Sequence, residues 1–168
     1  MLNDEHASAL ASLQNLKPKN AKKLHWRELN PRAQRKSLEI ISDLDAASII
    51  ILGAPLINTK QERARRKCLE ALLAVLENKG VGKLVLESRD GSLDKRDIDL
   101  LLSSRRSKKI KTIDLHHAPG AGEPRLYIPD QILGAFGDIR TNGDNVKKWE
   151  DKWHDLEKKI SVVEVPVH

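Results

Sequence analysis

Residues 83–90 read KLVLESRD. Leu84, Val85 and Leu86 make a short apolar run closed off by charge, the pattern of a buried strand. The run ends abruptly on Glu87, with Arg89 and Asp90 close behind. Working outward, residues 48–52 read SIIIL, a β-branched run followed by Gly53 and Pro55, and read as a second buried strand. Between the two lies the clearest helical pattern in the chain. Thr59-Lys-Gln-Glu62 is a capping box. Ala64, Cys68, Leu69, Leu72, Val75 and Leu76 then recur at helical spacing, and Gly80 stops the helix.

On the carboxyl side, Ser92 is the expected cap of a helix carrying Leu93, Ile98, Leu101 and Leu102. A third strand is expected over residues 110–115, then an irregular loop, HHAPGAGEP, over 116–124. A helix over 129–138, a break at NGD (142–144), a charged helix with Trp149 and Trp153, and a closing strand ISVVEV (160–165) complete this half. On the amino side, a helix from Asn3 to about Gln14 precedes a basic connector, KPKNAKK (17–23). Asn30 and Pro31 then open a helix with Leu38, Ile41 and Leu44 on one face. Strands alternating with long helical connectors argue an α/β fold with a mainly parallel sheet flanked by helices.

The 168 residues suit a single domain, residues 1–168, with residues 1–23 as an N-terminal helix and basic connector. Aromatic residues are only 3%, so the core must rest on Leu, Ile, Val and Ala. One cysteine, Cys68, excludes an internal disulfide and a cysteine-based zinc site, and its place on an apolar face reads as a small core residue. The start, MLNDEHASAL, lacks the basic and apolar regions of a signal peptide, and SIIILGAPLI is too short to span a bilayer. A cytoplasmic protein with no membrane partner is the expectation. The 30 Lys and Arg against 24 Asp and Glu, a net +6, permit contact with phosphate backbones.

In parallel α/β sheets, ligands gather outside the carboxyl ends of the strands, which makes Glu87 a candidate. Asp94 and Asp97 follow, one helical turn apart on one face. Asp130 opens the helix in LYIPDQILGAFG, where the helix dipole alone also explains a carboxylate. Hard divalent cations need only one or two protein carboxylates plus water and phosphate. Glu87 and Asp130 are the pair expected to hold Mg²⁺ or Mn²⁺. His25 in KLHWREL and His117 in the loop are candidates for assisting water or phosphate. Arg89, Lys22 and Lys23 are the candidate nucleic-acid contacts. The basic run KQERARRK (60–67) reads as a solvated helix face. No P-loop, GxGxxG, GxSxG or HExxH motif is present.

The order KLHWREL, QERARRKCLEALLAVLENKGV, LVLESRDGSLDKRD, EPRLYIPDQILGAFG resembles an uncharacterised bacterial ribonuclease-H-like family, Domain of Unknown Function 3800, in an actinobacterial form. The likeness covers about residues 20–140. It implies a ribonuclease-H-like fold and metal-dependent hydrolysis of nucleic-acid phosphodiesters. Glu87 and Asp130 match its acidic positions, and His25 and His117 match its histidines. The chain departs from that pattern at its start. The residues given begin at what would be the family's first helix, so either the chain is truncated, its start is misassigned, or it lacks the central acidic ligand; Asp4 and Glu5 are adjacent acids with no apolar strand around them. The expectation is therefore a partial or vestigial site, and a sheet without its N-terminal hairpin whose open edge would take a second copy or a protein partner. A non-catalytic module binding nucleic acid or protein is the alternative.

Overall fold

A computed structural model describes residues 4–54 and 61–167. In chain order its elements are α1 (Asp4–Asn15), α2 (Pro31–Ser42), β1 (Ser48–Ala54), α3 (Gln61–Asn78), β2 (Lys83–Glu87), α4 (Gly91–Arg106), β3 (Asp114–Ala118), α5 (Tyr127–Thr141), α6 (Glu150–Glu157) and β4 (Ile160–Pro166). Short 3-10 turns at Trp26–Glu28, Pro124–Leu126 and Val146–Lys148 join them. The class is α/β. Among the described residues the strands form two pairs, β1 with β4 and β2 with β3, where a larger parallel sheet was expected. The β2–β3 pair is parallel, in the register Lys83 with Asp114 through Glu87 with Ala118. No helix among the described residues is long and apolar enough to cross a membrane.

The chain divides into two compact units, Met1–Ser48 with Gly120–Ser161, and Ile49–Pro119 with Val162–His168. The first is helical, built on α1, α2, α5 and α6. All five aromatic residues of the chain, Trp26, Tyr127, Phe136, Trp149 and Trp153, fall in it. Trp26 and Trp149 meet edge to face at 5.1 Å, a geometry the ring quadrupole favours. Asn30 caps α2 as its sequence position suggests, accepting the Ala33 N–H at 2.9 Å. The buried face of α2 is not purely apolar, because Gln34 and Ser37 are buried beside Leu38 and Ile41. They belong to a polar network. Gln34 Nε2 donates to the Trp26 carbonyl at 3.2 Å, and Ser37 Oγ donates to the Gln34 carbonyl at 2.8 Å and lies 3.1 Å from Gln131 Oε1. Leu44 is buried but lies past the end of the helix at Ser42.

The second unit packs α3 and α4 on the β2–β3 pair. Leu69 and Leu73 of α3, Leu100 and Leu101 of α4, and Ile110, Ile113 and Leu115 form its buried core, with Leu84 and Leu86 of β2 against it. Full burial of one such leucine stabilises by about 1.5–3 kcal/mol. Three local expectations are corrected here. The helix α4 is capped by Asp90, not Ser92; the Asp90 carboxylate accepts the Ser92 and Leu93 N–H groups. The third strand begins at Asp114 rather than 110. The Lys111 and Thr112 N–H groups donate to the Glu77 carboxylate, at 2.9 and 3.2 Å, and so need no strand partner. In consequence His116 and His117, expected in a loop, stand in β3. The proposed caps Asn3 and Thr59 lie outside the described residues. Cys68 is half-buried rather than a core residue; it packs against Gly53 of β1, and partial burial pushes its thiol above the ordinary value.

Candidate functional site

The parallel register sets out the carboxyl end of the second unit. Leu86 pairs with His117 and Glu87 with Ala118, and the ladder extends one step further through the Ser88 N–H to the Ala118 carbonyl at 2.9 Å. Side chains alternate faces along a strand. His117 therefore shares the face of its neighbour Leu86 and of Leu115 two residues back, the face that carries the core. Glu87 points to the other face, and is exposed.

Asp94 and Asp97 of α4 gather with His117 of β3. One ligand atom from each lies within 4.8 Å of the others. Three devices hold them. Asp90 anchors the first turn of α4. The Arg89 N–H donates to Asp94 Oδ1 at 2.9 Å, which tethers the strand-to-helix turn to the helix. His117 Nε2 lies 3.2 Å from Asp97 Oδ2 and 3.6 Å from Asp94 Oδ1. The Asp97 side chain is only 5% exposed, so its charge needs compensation. It receives it from Arg65 of α3, which bonds Asp97 directly, and from Arg89 Nη2 at 3.4 Å. Burial pushes the Asp97 carboxyl up, but the Arg65 and His117 hydrogen bonds and the charges of Arg65 and Arg89 outweigh it, and the net shift is downward. Glu62 completes the set, holding Arg89 Nη1 at 2.7 Å. Arg89 Nε is buried without a hydrogen-bond partner among the described residues.

Of the residues singled out from sequence, His117, Arg89, Asp94 and Asp97 come together here. Asp130 and His25 belong to the first unit and meet each other, His25 Nδ1 lying 3.3 Å from Asp130 Oδ1. The other Asp130 oxygen accepts the Trp26 N–H at 2.9 Å and the Gln131 Nε2 at 3.3 Å. Asp130 thus fastens the Trp26 turn to the first turn of α5. Lys22 is exposed and Lys23 half-buried, in the segment between α1 and the Trp26 turn. Sequence reasoning missed Arg65. It was grouped with a solvated basic run, yet it sits beside the buried Ala64 and four residues before Leu69, the edge of the apolar stripe from which a long side chain reaches inward.

Comparison of the chain with protein-family models, curated proteins and solved structures gives no match.

Proposed function

We propose that the second unit holds a divalent cation between Asp94, Asp97 and His117, and that the chain descends from ribonuclease-H-like proteins acting on nucleic-acid phosphodiesters. One observation carries the reading. Two carboxylates and an imidazole converge within 4.8 Å at the carboxyl end of a parallel strand pair, where α/β proteins place their ligands. Two oxygens and one nitrogen suit Mn²⁺ better than Mg²⁺, which prefers an all-oxygen shell. Three protein ligands leave coordination positions for water and a phosphate oxygen. Bound there, a cation would supply Lewis-acid polarisation of that phosphate. Arg65 and Arg89 already neutralise Asp97, so they compete with the cation and make its binding modest.

The test is thermal unfolding with and without Mn²⁺. At one hundred times the dissociation constant, binding to the folded state alone adds about 2.7 kcal/mol. For a chain of this size that raises the midpoint by roughly 5–10 °C. The shift should vanish in Asp94→Asn and His117→Ala and persist in Glu87→Gln and Asp130→Asn. No shift in the wild type, or loss of the shift in Glu87→Gln alone, overturns the assignment. Cleavage of an oligonucleotide that requires Mn²⁺ and His117 is the accompanying activity assay.

The compensation of Asp97 by two guanidiniums favours a second reading, a non-catalytic module whose cluster is an ion-pair network. It expects no Mn²⁺ shift. In its protein-partner form, a second copy or another chain pairs with an open strand edge, and a monomer in sedimentation velocity refutes the homodimer.

A further inference from the structure

Beside the cluster, α3 and α4 enclose a groove of about 440 Å³, lined by Glu62, Arg63, Arg66, Arg96, Asp99 and Leu100. That volume lies in the range of ligand sites. Arg63 and Arg66 stand one turn apart on the α3 wall, and Arg96 on the α4 wall, all exposed. None of the three guanidiniums has an ion-pair or hydrogen-bond partner among the described residues, whereas Arg65 and Arg89 nearby are both committed. Of the two acids in the lining, Glu62 is already held by Arg89. Among the described residues, three guanidiniums without a partner thus face one carboxylate without one, Asp99.

We propose that this groove binds the phosphate backbone of a polynucleotide and leads it past the Asp94–Asp97–His117 cluster. The inference rests on the reading above for the direction of the strand, not for its binding. Guanidinium forks match phosphate oxygens two at a time, which an exposed lysine face does not. Convergence from two walls suits a chain lying in a trough, and a flat bilayer surface cannot enter it. Glu62 joins the two places, since it lines the groove and pairs with the Arg89 that bonds Asp97. The second unit contains no Phe, Tyr or Trp. Bases therefore find no aromatic platform here, and binding depends on phosphate contacts and carries little base preference.

The experiment is fluorescence anisotropy with a labelled oligodeoxythymidylate of about twelve nucleotides, a length within the span of known single-strand sites. The full chain is titrated at several salt concentrations, as wild type and as R63Q/R66Q/R96Q. The triple variant should bind at least tenfold more weakly at low salt. With about 0.7 counterions released per phosphate contact, its log–log salt slope should be shallower by about 2. Its Mn²⁺-induced thermal shift should stay as in wild type. His117→Ala should do the reverse, losing the shift and keeping the oligonucleotide, so failure of the cation site and failure of the groove are told apart. If the triple variant does not fold, R96Q alone should lower the slope by about 0.7. Equal binding by wild type and variant, or no binding by the wild type at low salt, overturns the proposal. Polyglutamate displacing the oligonucleotide at equal charge concentration also overturns the phosphate assignment.

Discussion

Neutralising Asp97 discriminates between two kinds of acidic cluster by the sign of a stability change. In a cluster dominated by carboxylate repulsion, Asp97→Asn relieves the repulsion from Asp94 and raises the unfolding midpoint without metal. Here the Asp97 side chain is 5% exposed and meets Arg65, Arg89 and His117. Removing one partner of a fully buried ion pair costs about 3–5 kcal/mol. Arg65 and Arg89 are 32% and 24% exposed, so water recovers part of their solvation, and exposed pairs are worth under about 1 kcal/mol. Between these limits the loss is about 2 kcal/mol, a fall of roughly 4–8 °C for a chain of this length. The assay is thermal denaturation followed by far-UV circular dichroism at pH 7 without metal. Raising the salt should shrink the difference only slightly, because buried pairs are poorly screened. An unchanged or higher midpoint in Asp97→Asn would refute the view that guanidiniums, not a cation, balance this carboxylate in the empty protein.

The same pair of proteins carries a pH prediction. The Asp97 carboxyl is lowered from its ordinary 3.8, so its stabilisation is present above that value and is lost as pH falls through the lower, folded-state value. The midpoint gap between wild type and Asp97→Asn should therefore be constant near neutrality and close below pH 3.8; a gap that widens in acid contradicts the shift. In the first unit, a Cβ added at Gly134 of α5 would collide with the Trp26 side chain. Gly134→Ala gains about 1 kcal/mol of helix propensity but should lose about 1–3 kcal/mol or more to overpacking. A lowered midpoint with altered tryptophan emission is expected, and a stabilised variant would show that the helix does not approach Trp26 closely. Asp130→Ala strands the Trp26 N–H and should cost about 1–3 kcal/mol in urea unfolding while leaving Mn²⁺ binding intact. Loss of Mn²⁺ binding there would instead make Asp130 a ligand. Finally, a bound mononucleotide should tighten Mn²⁺ binding, and by linkage Mn²⁺ should tighten the mononucleotide by the same factor. Calorimetric titrations that show no coupling would separate the cation from phosphate recognition.

What was legible in the sequence is what short-range chemistry dictates. The Asn30-Pro31 helix start, the apolar stripe of α3 and the LVL strand each follow from residues within a turn or two of one another. Asp94 and Asp97 could be placed on one face for the same reason. The rest depended on partners far along the chain. The start of β3 could not be read, because Glu77, 34 residues from Lys111, takes the backbone N–H groups that a strand would otherwise pair. His117 could not be joined to Asp97 without the parallel register that sets it beside Leu86. Glu87 drew attention as the carboxylate ending a strand, but a period of two sends it to the opposite face from its neighbour. Arg65 was hidden by composition, since a run of five cations among eight residues says nothing of which one turns inward.

The charge around the cluster connects its two readings. Glu62, Asp94 and Asp97 bring three negative charges, and Arg65 and Arg89 two positive ones. These five side chains alone sum to one negative charge, which disfavours a phosphate beside them. With a divalent cation the same residues carry +1, and a phosphate is attracted. The ion-pair network is common to both readings, which differ in whether it also takes a cation, and the Mn²⁺ shift decides between them. The network compensates the buried Asp97 in the empty protein, and under the cation reading a divalent ion would have to bind in competition with those guanidiniums. The proposed arginine groove would require no such switch, since its three guanidiniums, without a partner among the described residues, exceed Asp99. A strand held in the groove would approach a centre that accepts its phosphate only when loaded, which ties any chemistry there to the cation without tying binding to it.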